Sequence, residues 1–146
     1  MGQMRRAFTR LLVLVLLATA ATRAAADDGR IKTVYHLNQG LEQATAAIRN
    51  IRNHLAVDPK ARIAVVAHAA GIDFLLEGAK DRNGNPYDAL VQELADRGVE
   101  FRVCNFTLVT RNIDKSRVIP EASIVPSGVA EVARLQAKEG YAYIRP

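Results

Sequence analysis

The sequence predicts an α/β fold, a three-layer α/β/α sandwich built on a parallel five-stranded sheet. Two patterns carry that expectation. Short β-rich runs alternate with helical periods from residue 27 to the carboxyl end, and strands alternating with helices imply right-handed βαβ crossovers. The run Ile63-Ala64-Val65-Val66-Ala67 is apolar at every position, which suits a strand covered on both faces. No repeat, low-complexity stretch or linker interrupts residues 27–146. They are expected to form one domain, long enough to bury a core.

The elements follow in order. Residues 31–37 form the first strand candidate. Leu41, Ala44, Ile48, Ile51 and Leu55 then recur at spacings of 3, 4, 3 and 4, which puts all five on one helix face. Asp58-Pro59 ends that helix, because a residue before proline is pushed out of the helical region. Residues 63–67 are the second strand, and a short helix is expected through Ile72, Leu75 and Leu76. Asn85-Pro86 reads as an N-cap with proline at the first helical position, opening a helix that runs through Leu90 and Leu94 to a C′ glycine at Gly98. Residues 99–104 make the third strand, a short helix lies near 107–111, and 116–120 looks irregular. Ile124-Val125 is the fourth strand. Ser127-Gly128 opens a last helix ending near Gly140, and residues 141–144 are the fifth strand.

The amino-terminal segment reads differently. The chain has a formal net charge of +5 and a sequence pI near 9.7. Arg5, Arg6, Arg10 and Arg23 supply four of those charges, and residues 1–26 hold no Asp or Glu. Without that segment the chain is almost neutral, so charge makes no case for a nucleic-acid partner. A basic start, an apolar run over residues 11–21 and Ala24-Ala25-Ala26 form the three-part secretory pattern. Residues 1–26 are therefore expected to be a signal peptide cleaved after Ala26, with an uncleaved anchor as the alternative. The run falls short of the roughly 20 apolar residues of a membrane span. Arg5-Arg6-Ala7-Phe8-Thr9-Arg10 also resembles the twin-arginine export motif, with Met4 where that motif usually has Ser or Thr. Twin-arginine and general secretory export both stay open. Either leads to a periplasmic or otherwise exported domain over residues 27–146, with no membrane contact after cleavage.

In an open parallel sheet, ligands bind beyond the carboxyl ends of the strands. Those ends carry His36, His68 and Cys104. Cys104 is the chain's one cysteine, so no internal disulfide exists, and an odd cysteine in an exported protein points to a free thiol or an intermolecular bond. At a strand-to-helix turn its thiolate would face backbone N–H groups, which lower a thiol pKa. A buried inert cysteine is the alternative. His68 could orient or deprotonate the thiol, or be an ordinary loop histidine. His36, His68 and Cys104 together have ligand types that suit zinc or copper. His54, near a helix carboxyl end, is expected to be structural. Asp81-Arg82-Asn83-Gly84-Asn85 superficially matches a calcium loop, but Pro86 and Gln92 occupy positions that need Gly and Glu, so it is a turn. Asn105-Phe106-Thr107 is a formal glycosylation sequon and is expected instead to cap a helix. Arg49, Arg52, Arg97, Arg102 and Arg111 are interspersed with acids and look like solvated faces. No phosphate-binding, dinucleotide, nucleophile-elbow or metalloprotease motif occurs, and no cofactor is expected.

The lone cysteine closing the third strand, followed by Arg111-Asn112-Ile113, resembles the DsrE/DsrF-like sulfur-relay family, whose pattern here is a cysteine and then Arg-Gly-Ile. The similarity also rests on Ile48-Arg49-Asn50-Ile51-Arg52-Asn53-His54-Leu55, Gly71-Ile72-Asp73-Phe74-Leu75-Leu76, Gly98-Val99-Glu100-Phe101-Arg102-Val103-Cys104-Asn105 and Gly140-Tyr141-Ala142-Tyr143-Ile144-Arg145-Pro146. It spans nearly all of residues 31–146 and is nearer to exported DsrE-like proteins. The resemblance implies a parallel sheet in the order 4-3-2-1-5, assembly as homo-trimers or hexamers, and a persulfide on Cys104. Asn112 stands where the family has Gly, and Asn tolerates a left-handed backbone. The expected function is that of an exported sulfur carrier or sulfurtransferase, with His68 in support. Its partners would be sulfur donor and acceptor proteins or small sulfur compounds. The alternative is a non-catalytic oligomeric small-ligand or metal-binding module using His36, His68 and Cys104.

Overall fold

A computed structural model describes residues 29–146; the segment read as an export signal lies outside them. The chain runs β1 (Lys32–Leu37), α1 (Leu41–Val57), β2 (Arg62–Ala67), a 3-10 helix (Ala69–Leu75), α2 (Tyr87–Asp96), β3 (Glu100–Cys104), α3 (Asn105–Thr110), a 3-10 turn (Lys115–Arg117), β4 (Ala122–Val125), α4 (Gly128–Glu139) and β5 (Ala142–Ile144). All strand pairings are parallel, and the sheet order is β4-β3-β2-β1-β5. This is the predicted architecture.

The period-2 alternation of strands divides the core into two. Tyr35, Leu37, Ile63, Val65, Phe101 and Val103 face one side, where α1, the 3-10 helix and α2 pack on them. Val34, Ala64 and Val66 face the other, against Val132 and Leu135 of α4 and Tyr141. The five predicted positions on α1 bear this out, since Ala44, Ile48, Ile51 and Leu55 are buried and Leu41 packs on the same core. The α4 side has far fewer apolar residues, so each one matters more. Leu135 is fully buried there, and Leu135→Ala is expected to lower unfolding free energy by about 3 kcal/mol, in the range for buried leucine truncation. Urea unfolding followed by circular dichroism checks it.

Several local readings need correction. Asn85 does not cap α2: Pro86 holds the cap position without a side-chain bond, and Asn85 is spent in the preceding turn. There its backbone N–H donates to Asp81 Oδ1 and its amide to Asp81 Oδ2. The turn reading of this stretch stands, and Gly84 adopts φ +83° within it. Arg102 is no solvated arginine. Its side chain is 14% exposed and pairs with Glu131 of α4 and with Glu100. His54 meets the structural expectation, with Nδ1 3.1 Å from the Tyr35 hydroxyl.

Gly71 lets the 3-10 helix after β2 lie tightly against the end of β1. A Cβ there would lie 2.3 Å from the Leu37 carbonyl oxygen. Only glycine lets this segment sit on the end of β1, and that contact sets the floor beside which the site is built.

Candidate functional site

Cys104 closes β3 and is the residue from which α3 departs. It is 4% exposed and lies in the wall of a cleft of about 660 Å³. Three segments form that cleft: residues 68–70 after β2, α3 through Arg111, and the start of α4. Each follows a strand's carboxyl end, which is where a parallel sheet leaves room for a ligand. Phe106 and Val129 stand at its rim, 65% and 62% exposed.

Burial pushes the Cys104 thiol up, but donors turned toward the sulfur outweigh it. These are the backbone N–H of Gly128, the hydroxyl and N–H of Thr107 and the N–H of Phe106, and the net pKa falls below the usual thiol value. Thr107 is well set for this. Its Oγ1 accepts the Ala69 N–H at 2.9 Å, which leaves the hydroxyl hydrogen for the sulfur. The Gly128 N–H comes from the twelve-residue α4, whose N-cap Ser127 accepts from Ala130 N at 3.3 Å. A positive helix end beside the sulfur further favours its anion.

Gly128 permits this approach. A Cβ there would lie 3.2 Å from the Cys104 Cβ and 3.1 Å from the His68 Cβ. The cysteine and the histidine therefore flank one glycine. His68 also lines the cleft, but its ring is engaged elsewhere. Its Nε2 is 2.7 Å from His36 Nε2, and His36 Nδ1 is 2.8 Å from the Tyr143 hydroxyl. Burial lowers the pKa of both histidines; His68 and then Arg145 lower His36 further. Two neutral imidazoles fit that pattern, one donating and one accepting. The structure thus gathers the three predicted residues at one end of the sheet but splits them, with Cys104 served by backbone and hydroxyl donors and the histidines joined to each other.

Arg111 is a second correction among the supposed solvated arginines. It reaches from the end of α3 across the cleft wall, donating to the Ala69 carbonyl at 3.2 Å and to Asp73 at 2.6 Å. It pins the 68–73 segment, in which Ala69 holds the left-handed value φ +51°. Such backbone is sparsely populated for a residue with a Cβ, and the bonds from Thr107 and Arg111 keep it. The next residue, Asn112, has φ +52°, the left-handed backbone that asparagine in a glycine position implies. Asn105 does not cap α3 as expected: its Oδ1 is buried without a hydrogen-bond partner, and Cys104 holds the cap position. Thr107 likewise serves Ala69 and the sulfur rather than its own helix.

Sequence reasoning missed Gly128, Thr107, Tyr143 and Arg111 as parts of this site. Gly128 and Tyr143 lie 24 and 39 residues beyond the cysteine, so no local spacing marks them. Arg111 was visible only through the family-like Arg-Asn-Ile.

Fold and site together define a parallel α/β protein with one acidified thiol in a cleft at the carboxyl ends of its strands. The family model described as the DsrE/DsrF-like family matches residues 14–146, and the chain belongs to that family. No curated protein matches it. Among solved structures, it is similar to a protein of unknown function, MTH1491 from Methanobacterium thermoautotrophicum. That likeness has a TM-score of 0.70 and 33% identity, over 80% of this chain and 99% of that one. It also shares its fold with the ychN protein from E. coli, at a TM-score of 0.63 and 14% identity, over 80% and 98% of the two chains.

Proposed function

We propose that this chain is an exported sulfur carrier that loads sulfane sulfur on Cys104. The observation that supports this best is the thiol itself: it is the chain's single cysteine, lowered in pKa by four donors, and it faces a cleft. Membership of a family associated with sulfur relay points the same way. In the loading step the Cys104 thiolate attacks the outer sulfur of a donor persulfide, R–S–SH. A Cys104 S–S bond forms, the donor's S–S bond breaks, and R–S⁻ leaves with the bonding pair. Delivery reverses the polarity. An acceptor thiolate attacks the outer sulfur of the Cys104 persulfide, and the Cys104 thiolate departs. No net oxidation occurs in either step.

The Gly128 and Thr107 donors stabilise Cys104 both as attacking anion and as leaving group, so one arrangement serves both directions. Donor and acceptor are proteins or small sulfur compounds. The apolar rim of Phe106 and Val129, with Val109 of α3 also exposed, supports contact with a partner chain and assembly as a homo-trimer or hexamer. Light scattering on the purified chain reads that assembly directly. The amino-terminal pattern supports a periplasmic or otherwise exported location.

Intact-mass measurement after incubation with polysulfide tests the loading step. The wild type should gain the mass of one or more sulfur atoms, and Cys104→Ser should gain none. An unmodified wild-type chain whose Cys104 still reacts with a thiol probe would sink the reading.

A further inference from the structure

The histidine pair is not used by the sulfur chemistry. The His36 and His68 ring planes are inclined by only 23° and their centroids are 4.9 Å apart, yet the two Nε2 atoms are 2.7 Å apart. With near-parallel planes, nitrogens that much closer than the centroids mean the rings meet edge to edge. The two Nε2 atoms thus aim at a point between them, with one proton shared across it. The far side of His36 is fixed, since its Nδ1 meets the Tyr143 hydroxyl at 2.8 Å. A metal-bound histidine characteristically has its other ring nitrogen held this way, which fixes tautomer and orientation. Both histidines are half-buried and Tyr143 is 44% exposed, so solvent ions reach the pair.

We infer that His36 and His68 form a two-coordinate site for copper(I). Among the described residues, no group of three or more His, Cys, Asp or Glu is arranged to hold a metal. That disfavours zinc, which takes four ligands in a closed tetrahedral site. Copper(I) accepts two nitrogen donors in line, and imidazole is a suitable ligand for copper. Arg145 bears electrostatically on His36, which weighs against a divalent ion more than a monovalent one. With bonds of roughly 2 Å on each side, the nitrogens must part by about 1 Å, a small rotation for two half-exposed rings. The bridging proton moves to the Nδ1 of His68, and copper stays in the +1 state throughout. The site is independent of sulfur loading on Cys104.

Anaerobic titration of the full chain against the copper(I)–bicinchoninate complex is the test. The wild type should withdraw one equivalent of copper(I), and His36→Ala and His68→Ala should each weaken binding by at least tenfold. Tyr143→Phe, which removes only the outer hydroxyl, should weaken it by roughly tenfold, the lower end for such partners. Cys104→Ser should bind as the wild type does. Failure of the wild type to compete for copper overturns the assignment. So does binding unchanged in either histidine variant, or binding lost in Cys104→Ser. Circular dichroism of each variant separates loss of the site from loss of the fold. Because the mass assay for sulfur uptake needs no metal, failure of one reading leaves the other standing.

Discussion

Gly128→Ala is expected to leave the protein folded but make Cys104 markedly less reactive near neutral pH. The added methyl would sit 3.1 Å from the His68 Cβ and 3.2 Å from the Cys104 Cβ. Both are the stems of side chains rooted in or beside the sheet, so the partner that yields is the start of α4. Moving it outward takes the Gly128 N–H off the sulfur, and that N–H is the foremost group opposing the effect of burial on the thiol. The thiol pKa then rises toward its usual value. Alkylation by iodoacetamide across a pH series should show its midpoint displaced upward, with a rate near neutral pH about tenfold lower. That corresponds to a shift of one pKa unit. A midpoint unchanged from wild type would show that α4 does not tune the thiol.

The same thiol makes folding stability depend on pH in a definite direction. Its pKa in the folded state lies below the usual thiol value, so the folded chain loses this proton at lower pH than the unfolded one. Stability from this group therefore appears as pH rises through the folded-state pKa and is complete above the usual thiol value. It is lost as pH falls. Wild type and Cys104→Ser, compared by urea unfolding at several pH values, should diverge toward alkaline pH. Equal slopes would contradict the assignment of the donors.

Gly71→Ala should have as large an effect on stability as truncating buried Leu135. Its Cβ would fall 2.3 Å from the Leu37 carbonyl oxygen and 2.7 Å from the Asn38 nitrogen. These are backbone atoms at the end of β1, so no rotamer change relieves the clash. The 3-10 helix would have to lift from the sheet, pulling fully buried Ile72 and Leu75 and almost fully buried Phe74 out of place. A loss of about 3 kcal/mol, the upper range for overpacking, should lower the melting temperature by roughly 10 °C. Differential scanning calorimetry reads it, and a melting temperature within a degree or two of wild type would refute the close packing.

Periodicity made most of the fold legible. Leu41 through Leu55 declared α1, and the unbroken apolar run at Ile63 declared a central strand. Ser127 and Gly140 then marked the two ends of α4, as its N-cap bond and left-handed C-cap confirm. Strand order came from the family resemblance instead, because periodicity says nothing about which strands are neighbours. Asn85 misled because asparagine suits a cap and a turn equally well, and Asp81 was the stronger partner. The positions of Cys104 and His68 were legible through the rule about strand ends. Their relationship was not, because it depends on Gly128 packing between them and on His36, held by Tyr143, engaging the His68 ring. Such long-range arrangements leave no mark in local spacing. Arg102 and Arg111 looked like surface charges because acids lie near them in sequence; in the fold only Glu100 is such a neighbour, and their other partners, Glu131 and Asp73, arrive from distant segments.

The ion pair between Arg102 and Glu131 has a mechanical meaning for the thiol. Arg102 precedes Cys104 by two residues on β3, and Glu131 follows Gly128 by three on α4. Strand end and helix start are thus riveted together one step from the sulfur. In the proposed persulfide the added sulfur would lie against a wall that this pair ties to the sheet, on the side where the cleft opens. A carrier of the proposed kind would thus offer its sulfur to a partner at the cleft that Cys104 lines.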